Sequence, residues 1–543
     1  MKFKDLVMYS EEEKAEAKPI SPTAWRVIFF GVWIALLNIL AVIYITKSEY
    51  IYFWDSATYW DIAKQIESGA LMPNIFESLY GSIGSMNYNY TAGLLSAAVM
   101  HIFGNSRLVY VLTLVNLYLV PSMIIIYLIA RKMGKAPEIT LTLVMLLCPM
   151  LTFTAFVGFA DVGGMIGCLL CFYWYGEKDG AKTSLWKFFA IGVMLVLIMI
   201  WRRWYAFFSL SFITAMFADC IINKKPWYGA LITAAASALI LILCFRDFTV
   251  NILLADYANL YSDYKFAVST DFKLITRYFG VVYILALAAA SGVIMVKKKD
   301  ARALFMWIQM IVCACTFMAT QTHGQQHLLL YTPSIIMLTI YVIKNITKEW
   351  MLVSAAALAA AHTVNVYIPY DQPSNIQDIK IYAPIPNFSM LPRYTEYAYP
   401  VLDLKLKLNE VIGEGETLGV LASSFDLNED ALRNAESSLG VAETREDYIV
   451  SLPQVDSRDL DLTAYGAVDY VLTASPAQTH LADGSQRIVE EALNDFEAQT
   501  GIASAFEEIY DFNTQIGDMN IRLYKRVRDI PEYEYTSLSK RIE

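Results

Sequence analysis

The stretch that decides the fold is the apolar run WRVIFFGVWIALLNILAVIYI (residues 25–45), followed seven residues later by FWDSATYWD (residues 53–61). A helix of that length spans about 30 Å, the thickness of the hydrocarbon core of a bilayer. The second stretch places Asp55 just beyond the membrane among four aromatic rings, and tryptophan and tyrosine favour the membrane interface. The pattern predicts an acid at the bilayer surface, suited to chemistry on a lipid-linked polar substrate.

The composition indicates a polytopic membrane protein. The chain has 543 residues, 56% of them hydrophobic, and a mean hydropathy of +0.42. Its apolar runs recur at about 18 to 22 residues, which is long enough to cross a bilayer and excludes an ordinary soluble fold. All seven cysteines lie in apolar runs, where they are typical of packing rather than of disulfides or metal binding.

The charges divide the chain into two bodies. Residues 370–543 contain 31 acidic and 14 basic side chains, a net charge of −17, which leaves +7 on the first 369 residues. We predict a cytoplasmic N-terminal tail (1–24), a transmembrane domain (25–369) with a first outer loop (47–107), a linker (370–400) and an extracytoplasmic α/β domain (401–543).

The positions of lysine and arginine between the apolar runs predict the topology. Five basic loops are all cytoplasmic if the chain starts inside, has about eleven spans and ends outside: residues 131–135, 178–182, 224–225, 297–302 and 344–348. The predicted spans are residues 25–46, 108–130, 137–157, 162–176, 185–201, 204–222, 227–245, 277–296, 303–320, 328–344 and 349–368. The predicted fold class is an α-helical polytopic membrane protein with interfacial helices and a C-terminal α/β domain.

This topology requires that the apolar piece at residues 90–103 does not cross the membrane. Its fourteen residues are short for a span and typical of an interfacial or re-entrant helix. If it crossed, every later basic loop would change sides. The same choice places Asp55, Asp161, the pair Arg202-Arg203 and His327 on the outer side, so that a polar site assembled from distant loops is predicted there.

Asp161 is the second candidate acid of this outer face. It precedes an apolar helix whose first turn is rich in glycine. One interpretation is capping, because a carboxylate at a helix N-terminus accepts backbone N–H bonds. The other is that Asp161 faces Asp55 across a cavity, where it would bind a sugar hydroxyl, an amine or a divalent ion. Ionisable residues at membrane depth are costly and are therefore functional candidates.

The outer face is otherwise poor in positive charge, which makes Arg202-Arg203 conspicuous. The planar guanidinium matches the geometry of a phosphate, so the pair is predicted to form a phosphate clamp; the alternative is snorkelling toward outer headgroups. Lys273 and Arg277 are second candidates for the same role, or simply flank the next helix. His323 and His327 are four residues apart, but their loop suits hydrogen bonding to substrate better than metal binding, and no metal-ligand set is predicted.

The final third of the chain reads as a small α/β domain behind a proline-rich linker. Strands are predicted at residues 417–422, 448–452, 467–473 and 519–526, and helices at residues 428–438 and 487–500. Alternating strands and helices predict a partly parallel sheet. No nucleotide-binding or hydrolase motif occurs there, so the domain is interpreted as a module that shapes access of an acceptor, or as one that binds glycan or peptide.

Four stretches together resemble the GT-C superfamily of membrane glycosyltransferases. Residues 54–60 resemble the first-loop aspartate motif, with Ser56 at the usual second acid, and residues 87–90 with the helix after them resemble an interfacial helix that lacks the family's prolines. Residues 160–162 match a second-loop aspartate, and residues 327–333 resemble a late span entrance. The likeness covers roughly residues 20–370 and is strongest to the bacterial branch related to protein O-mannosyltransferases and the lipid A aminoarabinose transferase.

The resemblance implies sugar transfer, with inversion, from a polyprenyl-phosphate-linked donor on the outer face of the bacterial cytoplasmic membrane. Asp55 would be the general base, and Asp161 would be the second catalytic carboxylate. Trp54, Tyr59 and Tyr88 would contact sugar, although Trp54 and Tyr59 also fit an aromatic belt, and His327 would contact donor phosphate or sugar. The acceptor would be a lipid, a glycan or a protein, no nucleic acid is expected, and a divalent cation is the one cofactor considered.

Two other classes fit a polytopic chain of this kind. A lipid or glycan transporter or flippase would show internal repeats and charges near mid-span, whereas the acids here cluster at outer mouths of spans. A non-catalytic membrane scaffold with an outer binding domain would not depend on Asp55.

Overall fold

The computed structural model describes residues 21–542 except 70–73, 86–87, 135, 177–183, 370–375, 446, 460 and 513–515. The helices are α1 Pro22–Lys47, α2 Trp54–Glu67, α3 Ile75–Gly84, α4 Leu94–Phe103, α5 Arg107–Leu114, α6 Val120–Met133, α7 Pro137–Leu147, α8 Met150–Val157, α9 Gly164–Tyr175, α10 Leu185–Trp201, α11 Tyr205–Ile222, α12 Tyr228–Cys244, α13 Arg246–Leu254, α14 Tyr257–Leu260, α15 Val268–Phe279, α16 Val281–Lys298, α17 Arg302–Thr320, α18 Thr332–Asn345, α19 Glu349–Val366, α20 Ala398–Val411, α21 Glu429–Ser438, α22 Ala464–Ala467, α23 Arg487–Ala498 and α24 Glu532–Ile542. The strands are β1 Leu418–Leu421, β2 Ile449–Val450, β3 Tyr470–Ser475, β4 Phe506–Phe512 and β5 Asn520–Arg526. A π-helical turn, Val115–Leu119, joins α5 to α6, and short 3₁₀ turns occupy Tyr90–Gly93, Ala160–Gly163, Ser262–Tyr264, Gln325–Leu330, Ile376–Asp378 and Gly501–Ala505.

The helical membrane domain agrees with the predicted fold class, and each of the eleven predicted spans coincides with helix. Among the described residues, the single helices α1, α11, α16 and α17 and the continuous stretch from α5 to α6 are long and apolar enough to cross a membrane, and two bent pairs, α7 with α8 and α12 with α13, also qualify. The predicted single span at 137–157 bends by 61° because Pro149, the N-cap residue of α8, has no backbone N–H to continue the hydrogen bonds of α7. Helices α9 and α18 are shorter than a full span, so the number of crossings stays a prediction.

Helix α1 shows how a span forms and faces lipid. Ser21 caps it by accepting the Ala24 N–H at 3.1 Å, and Pro22 occupies the first turn, where its missing N–H costs nothing. Much of its apolar surface is exposed, including Val27 and Val32, as expected of a helix surrounded by lipid. The predicted tail at residues 1–20 and the basic loop at 178–182 lie outside the described residues.

The first outer loop folds into helices of its own. Residues 90–103 form a 3₁₀ turn and α4, fourteen residues in all, so the predicted short helix is confirmed in length. It packs on α2 through Ile62, Ile66 and Ala97. The close approach needs Gly93, where a Cβ would lie 2.6 Å from Cγ2 of Ile62. Helix α2, which carries Asp55, is thereby fixed against its neighbours.

The C-terminal domain contains a five-stranded sheet in the order β2-β1-β3-β5-β4. Strand β1 runs parallel to β2 and β3, whereas β5 is antiparallel to β3 and β4, so the predicted partly parallel sheet is confirmed. Strand β4 and helices α20 and α24 were not predicted. Helix α20 begins inside the predicted linker, yet its Ala398 and Val401 are buried in the core of this domain. Their apolar spacing was hidden by the neighbouring prolines and tyrosines.

Candidate functional site

A cavity of about 2470 Å³ lies where the helical domain meets the α/β domain. Its walls come from the outer ends of several helices, the linker and the α/β domain. This volume exceeds the 300–1,000 Å³ or so of a typical small-molecule pocket. The predicted outer loops therefore do meet on one face, around a space large enough for two substrates.

Asp55 lies in the first turn of α2, and three side chains hold its carboxylate. Oδ2 accepts hydrogen bonds from Nη2 of Arg202 at 2.8 Å and from the amide of Gln326 at 2.5 Å, and the Tyr88 hydroxyl donates to Oδ1. These three bonds fix the orientation of the carboxylate. The side chain is still 20% exposed and lines the cavity, so a substrate can reach it.

Arg202 bridges the two predicted acids. Its Nε donates to Oδ1 of Asp161 at 3.1 Å while Nη2 donates to Asp55, and its guanidinium lies 5.0 Å from the ring centre of Tyr59 and 4.5 Å from that of Tyr88. Arg202 and Asp161 are both buried. The planar fork therefore serves two carboxylates at once, which a lysine could not do.

Asp161 differs from both of its predicted roles. It does not line the cavity, because Arg202 lies between it and Asp55. Helix α9, which follows, begins without a side-chain cap. One oxygen, Oδ2, is buried without a hydrogen-bond partner among the described residues. The geometry makes Asp161 the anchor of Arg202 rather than a group in contact with substrate.

Two glycines allow this anchor to form. A Cβ added at Gly163 would lie 2.3 Å from Cζ2 of Trp201, and one at Gly164 would lie 2.2 Å from Cε2 of Tyr205. Trp201 and Tyr205 flank the arginine pair, and their polar atoms bind the backbone carbonyls of Ala160 and Asp161 at 2.9 and 2.8 Å. The glycine-rich turn is thus a packing requirement of the site.

Gly164→Ala is expected to destabilise the protein. The new methyl group must displace the Tyr205 ring, and overpacking of this kind costs about 1 to 3 kcal/mol. Gly292→Ala is the matched control, because its Cβ would meet nothing within 4 Å and alanine favours helix. Thermal unfolding of both purified variants measures the difference. An unfolding midpoint of Gly164→Ala equal to that of the control would contradict this packing argument.

The remaining predicted cations separate into two groups. Arg203 and Arg277 line the cavity, with Arg203 donating to the Tyr261 hydroxyl and lying 4.9 Å from the ring centre of Trp204. Lys273 is not among the lining residues. Arg202 also lines the cavity, but its guanidinium is bonded to two carboxylates. The phosphate clamp of Arg202 and Arg203 stays a prediction.

The loop before α18 brings two histidines into different environments. His323 is buried, with Nδ1 bonded to Asp271 and Nε2 bonded to the Tyr331 hydroxyl. His327 accepts the Gly324 N–H at Nδ1 (2.8 Å), whereas its buried Nε2 has no partner in the described part of the chain. Burial, assisted by nearby Arg202, lowers the pKa of His327 well below its ordinary value. Its neutral ring therefore carries its proton on Nε2, which is buried behind the cavity wall that the residue lines.

The two histidines do not make a metal site. Both ring nitrogens of His323 are already bonded within the protein. In the described residues no group of three or more His, Cys, Asp or Glu side chains is placed to hold a metal ion.

The α/β domain contributes a face of the cavity that the sequence did not indicate. The Trp54 ring lies between Phe425 and His480, with centroid distances of 4.9 and 4.2 Å. The backbone N–H of Trp54 donates to Oδ2 of Asp430 at 2.9 Å. Tyr59, which was also predicted to contact sugar, is buried beneath Arg202 and does not line the cavity. Of the aromatic predictions, Trp54 and Tyr88 are the two that reach this space.

Asp430 gives a pH dependence with a definite sign. Burial, followed by the neighbouring Glu429 and partly offset by Arg433, raises its pKa from 3.8 to about 7; Asp61 also faces it. As the pH falls, the Asp430 carboxyl is therefore protonated at a higher pH in the folded protein than in the unfolded chain. The stabilisation that this proton gives the folded state is fully present below about pH 4 and is lost as the pH rises through 7.

Asp430→Asn is therefore expected to be more stable than the wild type at pH 8 and no different near pH 4. Each unit of pKa difference corresponds to about 1.4 kcal/mol. The measurement is the thermal unfolding midpoint of both proteins across this pH range. Parallel curves would show that Asp430 does not titrate in this way.

Comparisons with known proteins identify the fold. The sequence matches no protein-family model and no curated protein. The structure aligns with ArnT from Cupriavidus metallidurans bound to undecaprenyl phosphate, with a TM-score of 0.56 and 10% identity over 93% of this chain and 98% of that one. The apo form of that protein gives a TM-score of 0.54. AglB, an oligosaccharyltransferase of Archaeoglobus fulgidus, aligns at 0.41 and 13% identity over 94% of this chain and 75% of its own. The chain therefore has the fold of the ArnT structures.

Proposed function

We propose that the protein is a membrane glycosyltransferase that moves a sugar from a polyprenyl-phosphate-linked donor to an acceptor. The observation that carries this is the Asp55 side chain, held by Arg202, Gln326 and Tyr88 at the wall of a large cavity. The ArnT structure with the same fold contains undecaprenyl phosphate. The reaction would take place on the outer face of the bacterial cytoplasmic membrane, with the N-terminus inside and the α/β domain outside.

Asp55 is the general base of this proposal. An acceptor hydroxyl becomes a nucleophile when a carboxylate within hydrogen-bond reach takes its proton, and a group positioned in this way contributes about 10²- to 10⁴-fold. Direct attack on the anomeric carbon forms the new glycosidic bond, breaks the bond to the lipid phosphate and inverts the anomeric configuration. Arg202 places a positive charge beside the carboxylate, and Tyr88 limits its orientation.

The leaving lipid phosphate requires positive charge and hydrogen-bond donors. Arg203 and Arg277 supply guanidinium groups along the cavity. His327 holds a neutral Nε2–H just behind the wall, without a partner among the described residues, and a small rotation of the ring would bring it to the phosphate. Guanidinium groups match phosphate oxygens in geometry. Arg202 supplies the positive charge between the two acids, so the proposal gives no step to a divalent cation. The sugar and the class of acceptor stay open.

The test is transfer by the purified wild-type protein in lipid nanodiscs. Radiolabelled undecaprenyl-phosphate hexoses and pentoses are the donors, and a membrane glycan fraction supplies the acceptors. Transfer with inverted anomeric configuration in the product is expected. Transfer with retention would overturn the single-displacement mechanism, and the absence of transfer from every donor would favour a transporter or a scaffold.

A further inference from the structure

The α/β domain holds the start of the helix that carries the candidate base. The backbone N–H of Trp54 donates to Oδ2 of Asp430 at 2.9 Å, and the backbone N–H of Tyr52 donates to Oγ of Ser438 at 3.1 Å. Both acceptors lie on α21. Ile51 is fully buried in the hydrophobic core of the same domain. Three residues just before Asp55 are therefore fixed by this domain, and the two hydrogen bonds join residues 376 and 386 positions apart in the chain.

The backbone at Trp54 needs such support. Its φ is 50°, the left-handed region that a bulky residue adopts only at a cost of about 1 kcal/mol or more. Residues in this region persist when the surroundings fix them. Here the Asp430 carboxylate binds the N–H, while Phe425 and His480 pack on the ring. The adjacent residue is Asp55, so the conformation of Trp54 sets the direction in which the carboxylate leaves the helix.

Asp430 also supplies the cap that α2 lacks. The residue before the helix, Phe53, makes no side-chain cap hydrogen bond. A carboxylate that accepts a first-turn N–H satisfies the backbone and suits the positive end of the helix dipole. Asp430 is itself oriented by Nη1 of Arg433, 2.8 Å from Oδ1, which leaves Oδ2 for Trp54.

We propose that Asp430 is a positioning residue: by capping α2 from the α/β domain it fixes Trp54, and through it holds the Asp55 carboxylate beside Arg202. This role rests on the proposed function, in which Asp55 is the base. It also gives the α/β domain a task of its own, since the membrane domain alone would leave the start of α2 without this cap. The domain then completes the active site rather than only covering it.

Hydrogen–deuterium exchange of the full-length protein tests the contact without any activity. In Asp430→Ala, the backbone amides of a peptide covering residues 50–56 are expected to exchange at least tenfold faster. Asp430→Asn keeps an oxygen acceptor and should exchange like the wild type. The control is Glu429→Gln, at the neighbouring carboxyl, whose bond to Ser451 stays within the α/β domain. Unchanged exchange in Asp430→Ala would overturn the proposal.

Kinetics then separate positioning from general stability. Asp430→Ala should lower kcat about tenfold or more with the donor KM unchanged, and Asp430→Asn should restore kcat. Faster exchange with an unaltered kcat would overturn the positioning role. If the wild type transfers no sugar, the proposed function fails, while the exchange experiment still decides the contact. If Asp430→Ala does not fold, Asp430→Leu, which keeps the side-chain volume but has no acceptor, takes its place; faster exchange of the same peptide is expected, and unchanged exchange would overturn the proposal.

Discussion

Asp55→Asn is expected to lower sugar transfer by about 10²- to 10⁴-fold, the contribution of a positioned general base. The amide has nearly the shape of the carboxylate, and its carbonyl oxygen can still accept the hydrogen bond from Arg202. It cannot take a proton from an acceptor hydroxyl at neutral pH. The loss should therefore fall on kcat, with the donor KM changed little, because Arg203, Arg277 and His327 are untouched.

The control for this variant is Glu67→Gln, which removes a carboxylate from the other end of α2. Glu67 lies 3.5 Å from the exposed His101 and does not line the cavity, so activity like that of the wild type is expected. Both variants are compared by initial rates in nanodiscs and by thermal unfolding. Transfer by a folded Asp55→Asn protein at the wild-type rate would remove Asp55 as the base.

The fold and the meeting of the site residues on one face follow from local patterns, while the side of the membrane stays a prediction. An apolar run long enough to cross a bilayer can be recognised from its own residues, and the distribution of lysine and arginine in the loops then predicts the direction in which each run crosses. The length of residues 90–103, fourteen residues, predicted that this segment forms a short helix and does not span the membrane. Because Asp55, Asp161 and Arg202 each follow or precede such a run, their meeting on one face was predictable.

The partners of these residues were not predictable from local patterns. Arg202 contacts Asp55 across 147 positions of the chain, and Gln326 contacts it across 271. Nothing near Arg202 in the sequence distinguishes a phosphate clamp from a bridge between two acids. Asp430 looked like an ordinary first-turn acid of a soluble helix, and only the docking of the two domains brings it to Trp54.

Arg202→Gln is expected to lower both stability and activity strongly. Removing the guanidinium leaves Asp161 buried with a negative charge and no cation, and breaking a buried ion pair in this way costs about 3 to 5 kcal/mol. Asp55 loses the same cation, and its carboxylate is then oriented by Tyr88 and Gln326 alone. Arg202→Lys should recover little, because one ammonium cannot reproduce the fork that joins the two carboxylates.

A double variant separates the two losses. In Arg202→Gln with Asp161→Asn the uncompensated buried charge is gone, so much of the lost stability should return, although Asp55 still lacks its cation and transfer should remain low. The four proteins of this cycle are the wild type, Arg202→Gln, Asp161→Asn and the double variant. Their thermal unfolding gives the coupling of the two residues in stability, and their transfer rates give the coupling in activity. If the double variant regained activity together with stability, Arg202 would be a structural residue only. Recovery of stability alone would show that the positive charge beside Asp55 is part of the chemistry, and that Asp161 acts by keeping it there.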